Sequence, residues 1–417
     1  MLERSARAIV HSVLRRLRAG RLELTENWSG ERLAFGPPNA RLRAEIALQT
    51  PEFYPRLVRG RSVALGETYA EEMWEVDDLL ALCRMGARDI GRADRLRRRA
   101  APLLRPIQRL ASARARNTRR GARRNIAAHY DLGNDMFELF LDRKAMMYSA
   151  ALFEHEEMTL EQAQEAKLER ICSKLELGPG DHLLEIGSGW GGLAVHAASR
   201  YGCRVTSTTI SAEQRAYAER RVMEAGLADR IRILGADYRD LEGTYDKLVS
   251  IEMIEAVGWE YFDLFFRRCS ELLGPDGLFF LQAIAIDDRA YEAEKSAASF
   301  SNQLIFPGGC LPSLERMQRS VAGATDMRTV WLEDISPSYA QTLRHWRERF
   351  LAAVPRLGEL GYDRRFRRLW EIWLALSEAG FREARIMDLQ LLFAKPGQVA
   401  PGPVAAEGER AVEPAAA

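Results

Sequence analysis

Glycines and carboxylates are the residues of this chain whose types and spacing could do chemistry. In LLEIGSGWGGLAVHAA, Leu183 to Ala198, an apolar run ends in Glu185-Ile-Gly187-Ser-Gly189-Trp-Gly191 and a helix-forming stretch follows. Glycines there permit a tight turn and let a ligand touch the main chain. The following helix start offers free N–H groups and about half a positive charge. Three readings stay open from the residues alone. One is a dinucleotide site, with Gly192 supplying the extra glycine of a G-x-G-x-x-G register. Another is a different nucleoside-type cofactor, and the third is a β–α turn with no ligand. Asp237, in LGADYRD, is placed to cap a helix or to meet such a ligand. Glu252 and Glu255, in VSIEMIEAVG, mark a strand-to-helix turn where they could cap, pair with a cation or serve an amine. The five cysteines, Cys83, Cys172, Cys203, Cys269 and Cys310, are scattered and form no C-x-x-C. Reduced thiols and no metal site are therefore expected.

These residues need a scaffold. From about Asn125 to Lys395, short apolar runs alternate with longer helix-period stretches, the pattern of an α/β domain with a mainly parallel sheet. The expected strands are His182–Ile186, Arg204–Thr208, Ile231–Leu234, Lys247–Ile251, Leu278–Ile284, Met327–Leu332 and Leu389–Phe393. A long insert (Asp287 to Gly323) and a helical block (Tyr339–Gly380) interrupt the pattern. Residues 1–91 read as a small mixed N-terminal domain, with strands at Arg21–Leu24 and Leu42–Ile46. A helix is expected over GETYAEEMWEVDDLLALC, where Tyr69, Met73, Val76 and Leu80 keep helical spacing. Residues 92–124 read as a partly helical linker with thirteen arginines against one acid, Asp94. Residues 125–396 form the main domain, and 397–417 a low-complexity, disordered tail.

Composition sets outer bounds. A length of 417 residues suits two or three domains. A 47% apolar and 29% charged content excludes disordered, collagen-like and disulfide-scaffold classes. A net charge of +1 gives no nucleic-acid-like field, and no nucleic-acid partner is expected. The N-terminus has no apolar core of a secretory signal. The longest charge-free run, Ser296 to Leu314, is broken by glycines and prolines and makes a poor membrane span. A cytoplasmic protein that meets membranes only peripherally is expected.

Seven segments, taken in order, resemble one family. They are HYDLGNDMFELFLD (His129–Asp142), MMYSAALF (Met146–Phe153), EIGSGWGG, TTISAEQ (Thr208–Gln214), DYRDL (Asp237–Leu241), VSIEMIEAVG and IFPGGCLPS (Ile305–Ser313). Together they resemble cyclopropane-fatty-acyl-phospholipid synthases and relatives that methylate unsaturated acyl chains, including mycolic-acid cyclopropane synthases and tuberculostearic-acid-type methylases. The likeness covers about 120–395, and GETYAEEMWEVDDL is similar to the extra domain of the long bacterial synthases. It implies a class I S-adenosylmethionine methyltransferase fold, a Rossmann-like seven-stranded sheet with helical insertions. It also implies the cofactor contacts. Tyr148 and Ser149 would touch the methionine part, beside Glu185, Gly187, Gly189 and Gly191. Thr209 and Gln214 would replace the usual ribose acid, and Asp237 and Tyr238 would lie near the adenine.

The implied substrate is a cis double bond in a phospholipid acyl chain at the membrane surface. An alkene is a feeble nucleophile, so positioning must do much of the work. The resulting carbocation needs dry aromatic walls and then a base. Proton loss from the new methyl closes a cyclopropane; a hydride shift before proton loss gives a methylene branch. In the family the base is bicarbonate, held by Cys, Glu, His, Ile and Tyr. Glu255, Ile284 and Tyr339 match that set, whereas Ala150 replaces the Cys and Gln282 the His. Glutamine donates an N–H but does not relay a proton as imidazole does. The replacement is similar to the methyl-branching relatives, which favours a branched product. A homodimer is implied, and a reductase partner is needed if a methylene becomes a methyl branch. Arg92–Arg124, Arg4/Arg7/Arg15/Arg16/Arg18, and Arg364/Arg365/Arg367/Arg368 beside Trp370 are candidate lipid-facing patches. The aromatics Trp346, Phe350, Trp370 and Trp373 are expected in the core or along the substrate tunnel. Two rival functions remain at this point: an amine N-methyltransferase of the same fold, and a lipid-binding homologue without catalysis.

Overall fold

A computed structural model describes residues 2–92, 117–119, 121–122, 125 and 133–398. Most of the arginine-rich linker, His129 and the tail beyond Gln398 lie outside the described residues.

The main sheet has seven strands: β5 (His182–Ile186), β6 (Arg204–Thr208), β7 (Ile231–Leu234), β8 (Tyr245–Ile251), β9 (Leu273–Ile286), β10 (Arg328–Asp334) and β11 (Ile386–Ala394). Their order is β10-β11-β9-β8-β5-β6-β7. β7, β6, β5, β8 and β9 run parallel, and β11 lies antiparallel between β9 and β10. All seven expected strands form. β5 is buried along nearly its whole length because helices cover both faces, so it reads as one apolar run rather than an alternation. Strand order reverses between β5 and β8. The crevice beyond the carboxyl ends of those strands is where such sheets bind ligands.

The N-terminal unit begins with α1 (Leu2–Leu14) and holds a second sheet, β2-β1-β3-β4. Its strands are β1 (Arg21–Glu26), β2 (Glu31–Phe35), β3 (Arg43–Leu48) and β4 (Trp74–Val76), and α2 (Phe53–Ala70) lies between β3 and β4. The continuous helix expected across this region is not formed. α2 ends at Ala70, Glu72 turns the chain with φ +59°, and β4 pairs antiparallel with β3 before a helix resumes over 79–92. Sheet pairing overrides the helical spacing here. Trp74 is fully buried, and its indole N–H donates to Thr68 Oγ1 at 3.0 Å.

Two long helices close the far side of the main domain, α4 (Ser336–Ala352) and α5 (Arg364–Arg382), whereas α3 (Gly192–Tyr201) follows the glycine turn. α5 packs on α2. Arg368 Nε donates to the Tyr69 carbonyl at 2.7 Å, its guanidinium lies 3.9 Å from the centre of the Tyr69 ring, and it pairs with Glu75 at 3.1 Å. Arg364 pairs with Glu72 at 2.6 Å. Arg368, its side chain 11% exposed, is thereby taken up between the two units, whereas Arg364 stays 65% exposed. The Phe300 ring sits where a Cβ on Gly66 would be, 2.0 Å away, so only glycine allows that contact.

Candidate active site

Two cavities lie side by side at the carboxyl edge of the sheet. The first, of about 150 Å³, surrounds the glycine turn. Gly187 and Gly191 have φ of +104° and +82°, a region costly for other residues. A Cβ on Gly187 would press on Met253 at 3.2 Å. Nine of the ten residues expected to hold the cofactor line this cavity: Tyr148, Ser149, Glu185, Gly187, Gly189, Thr209, Gln214, Asp237 and Tyr238. Gly191 does not. It caps α3, and a Cβ there would meet Ala218 at 3.1 Å, so its work is in the turn.

Five of the nine are held by hydrogen bonds to named side chains. Thr209 Oγ1 donates to Gln214 Oε1 at 3.0 Å. Asp237 caps the short turn Tyr238–Asp240 and is gripped by Arg239 at 2.6 and 2.8 Å, so it combines capping with a place in the cavity wall. Glu185 is buried and accepts from Ser207 Oγ at 2.5 Å; burial pushes its carboxyl up to about 8. Ser149 is held by Lys167, whose Nζ donates to its Oγ at 2.7 Å. Burial brings that ammonium down to about 8.

The second cavity, of about 290 Å³, is larger and more apolar. It is lined by Phe306, Trp373, Phe381, Leu343 and Ile286 together with Glu255, Ile284 and Tyr339. Of the four aromatics left between core and tunnel, Trp373 faces the cavity, whereas Trp346, Phe350 and Trp370 are buried behind it. Cys310 also lines the wall. Asn117, Tyr148, Glu252 and Ala256 line both cavities and so form the opening between them.

A carboxylate cluster occupies that opening. Glu252 Oε1 accepts from the Ala150 N–H at 2.7 Å and from Gln282 Nε2 at 2.8 Å, and Oε2 accepts from the Tyr339 hydroxyl at 2.6 Å. Glu255 Oε1 accepts from the Ile284 N–H at 2.5 Å, and its Oε2 is buried with no hydrogen-bond partner among the described residues. Burial, and then the neighbouring Glu252, push Glu255 up to about 8. Gln282 lines neither cavity; it acts through Glu252. Its second N–H donates to Asp388 Oδ2 at 2.9 Å, and its carbonyl accepts from Gln390 Nε2 at 3.0 Å. Burial holds Asp388 well above the usual carboxylate range.

Three of these residues, Lys167, Asp388 and Gln390, were not singled out from the sequence, and Glu252 was read there as a cap, an ion pair or a partner for an amine. Asp388 and Gln390 did leave a signal, two polar side chains inside the otherwise apolar run IMDLQLLFA. Among the described residues, no cluster of His, Cys, Asp and Glu could hold a metal.

Comparison with known proteins agrees with this geometry. The family model for mycolic acid cyclopropane synthetase matches residues 117–391. The chain is 39% identical to a tuberculostearic acid methyltransferase of Mycobacterium tuberculosis over 335 residues, 78% of this chain and 77% of that protein. It is 37% identical to the cyclopropane-fatty-acyl-phospholipid synthase of Escherichia coli, over 86% of this chain and 89% of that one. Among solved structures, the cyclopropane synthase MmaA2 from Mycobacterium tuberculosis superposes with a TM-score of 0.62 and 31% identity, covering 66% of this chain and 98% of that one.

Proposed function

The chain belongs to the mycolic acid cyclopropane synthetase family, and from that premise we propose that it transfers a methyl group from S-adenosylmethionine to the cis double bond of unsaturated phospholipid acyl chains, yielding a methylene-branched chain in preference to a cyclopropane. The observation that carries this reading is the opening at Asn117, Tyr148, Glu252 and Ala256, where a glycine-turn cavity meets an aromatic-lined one.

The first cavity fits the cofactor. Its Gly187 leaves room for main-chain contact, and Asp237, Thr209 and Gln214 are held in its wall. When bound there, S-adenosylmethionine supplies an electrophilic methyl on a sulfonium centre. The chain's own residues do the rest. Phe306, Trp373 and Phe381 give the acyl chain an apolar wall and keep water from a cationic carbon. An aromatic face steadies such a cation by roughly 2 kcal/mol when dry. The preference for a branched product rests on Gln282, which stands where the cyclopropane makers are expected to have histidine, and on the likeness to the tuberculostearic acid methyltransferase.

Access to such a substrate is from the membrane surface. Among the described residues no helix is long and apolar enough to cross a membrane. α1 offers a contact face, with Ile9 and Val13 52% and 64% exposed beside exposed Arg15 and Arg16. A reductase acting on the methylene product and a second copy of the chain complete the proposed partners.

The test is mass spectrometry of fatty acid methyl esters from a host lacking its own synthase, with and without this gene. A one-carbon gain as an exocyclic methylene, or as a methyl branch where the host reduces it, is expected. A cyclopropane ring would overturn the product assignment. No gain from protein that binds S-adenosylmethionine would overturn the substrate assignment.

A further inference from the structure

Glu252 lines both cavities, and its backbone sits at φ +46°, a strained conformation for a residue with a side chain. That turn at the end of β8 delivers its carboxylate to the opening. The three donors that meet it come from positions 150, 282 and 339. These are the positions at which the family resemblance places the Cys, His and Tyr of a bicarbonate site. Here each donor already ends on a carboxylate that the chain itself carries. The fourth position, the Ile284 N–H, is taken by Glu255. A free anion would have to displace a carboxyl group of the chain from each of these four donors, so the residues present do not fit bicarbonate.

We propose that Glu252 is the resident base of this enzyme, its carboxylate standing in place of bicarbonate, so that turnover requires no added anion. The inference rests on the methyltransferase reading above.

The step balances. Once the alkene has gained its methyl, the substrate carries one positive charge on carbon. A proton leaves the new methyl for a Glu252 oxygen. The C–H electron pair it leaves behind forms the third ring bond of a cyclopropane. If a hydride has first moved to the cationic carbon from its methyl-bearing neighbour, the same pair forms the C=C of a methylene. The cation is discharged and Glu252 becomes a neutral acid. The groups around it suit that exchange. Burial raises its proton affinity, whereas Tyr339, the Ala150 N–H, Lys167 and Gln282 favour its ionised form. Glu255 and Asp388 are the other carboxyls facing it.

The experiment uses the purified full chain, vesicles containing dioleoyl phosphatidylglycerol and labelled S-adenosylmethionine, in buffer stripped of carbon dioxide. Wild-type incorporation is expected to be the same, within about two-fold, before and after millimolar bicarbonate is added. E252G is expected to lose at least about 100-fold in rate, typical of removing a general base, and to regain activity on adding bicarbonate. E252Q keeps the side-chain shape and is expected to be as slow, with no rescue. A readout independent of turnover accompanies these: line broadening of ¹³C-bicarbonate by NMR, expected with E252G and absent with wild type. Broadening by wild type, several-fold stimulation of wild type by bicarbonate, or wild-type rates from E252Q would each overturn the proposal. Failure of the substrate reading shows itself separately, as absence of wild-type incorporation in both buffers, and leaves the NMR comparison to decide the anion question.

Discussion

The two cavities share four residues and are built on opposite principles. The cofactor cavity is local. Most of its wall comes from the short turns that follow β5, β6, β7 and β8, and its shape is set by backbone conformation at Gly187 and Gly189. The acyl cavity is assembled from afar. Ile284, Phe306, Tyr339 and Trp373 reach it from β9, the insert between β9 and β10, α4 and α5, and Glu255 from the turn after β8. The first depends on a few dihedral angles, and the second on side chains meeting across a core. Substitutions should therefore fail differently in the two, the first by blocking entry of the cofactor and the second by weakening chemistry or selectivity while the cofactor still binds.

The largest effect is expected at Gly187. G187V puts a branched side chain at φ +104° and against Met253. Strain of up to about 3 kcal/mol, added to the blocked contact, should lower affinity for S-adenosylmethionine by at least about 100-fold. Isothermal titration reads this directly. Binding within ten-fold of wild type would show that the turn does not govern the cofactor cavity.

Legibility followed the same division. Glycines at fixed spacing after an apolar strand have a local meaning, and nine of the ten expected cofactor residues do line one cavity. Gly191 was assigned with them because spacing does not separate a glycine that faces a ligand from one that only lets α3 pack on Ala218. The seven strands were legible for a related reason, since central parallel strands are continuous apolar runs. The acyl side was less so. Tyr339 and Glu255 could be named, but that Tyr339 donates to Glu252 across 87 residues of sequence is a fact of the fold. Glu252 looked like a capping or ion-pairing residue because its donors lie 102, 30 and 87 positions away. The helix expected across Trp74 failed likewise, since its β3 partner is remote.

The next effect tests the distant half. Y339F removes the hydroxyl that donates to Glu252 but leaves the ring stacked on Phe381 at 4.3 Å. A hydrogen bond to a charged group contributes about 1.5–3 kcal/mol, so turnover should fall about 10- to 100-fold. Cofactor affinity should stay within two-fold, because Tyr339 lines only the acyl cavity. A parallel loss of cofactor binding would mean that the two cavities are not separable.

A smaller effect concerns stability. Glu185 underlies the cofactor cavity, and burial carries its carboxyl from 4.5 to about 8. The unfolded chain ionises this group near 4.5, whereas the folded chain keeps it protonated until near 8. Its contribution is therefore fully present below pH 4.5 and is lost as pH rises towards 8. E185Q stays neutral throughout. Urea unfolding at pH 5 and pH 8 should show a decline in wild type steeper by about 2 kcal/mol than in E185Q. Parallel declines would remove Glu185 as the source.

The smallest expected effect is at Trp373, and it separates wall from filling. Trp346, Phe350 and Trp370 are buried behind the acyl cavity, so shortening any of them should cost stability first. Trp373 faces the cavity, 5.6 Å from Phe306 and 5.0 Å from Trp370, ring centre to ring centre. W373F keeps an aromatic face for the cation and widens the wall. Each methylene newly accommodated is worth about 0.8 kcal/mol, or roughly four-fold. With hexadecenoyl and octadecenoyl phospholipids in competition, W373F should shift the product ratio towards the longer chain by that factor per methylene, with cofactor affinity unchanged. An unaltered ratio with lowered thermal stability would place Trp373 with the three aromatics behind it. The acyl cavity would then take its selectivity from Phe306 and Phe381 alone.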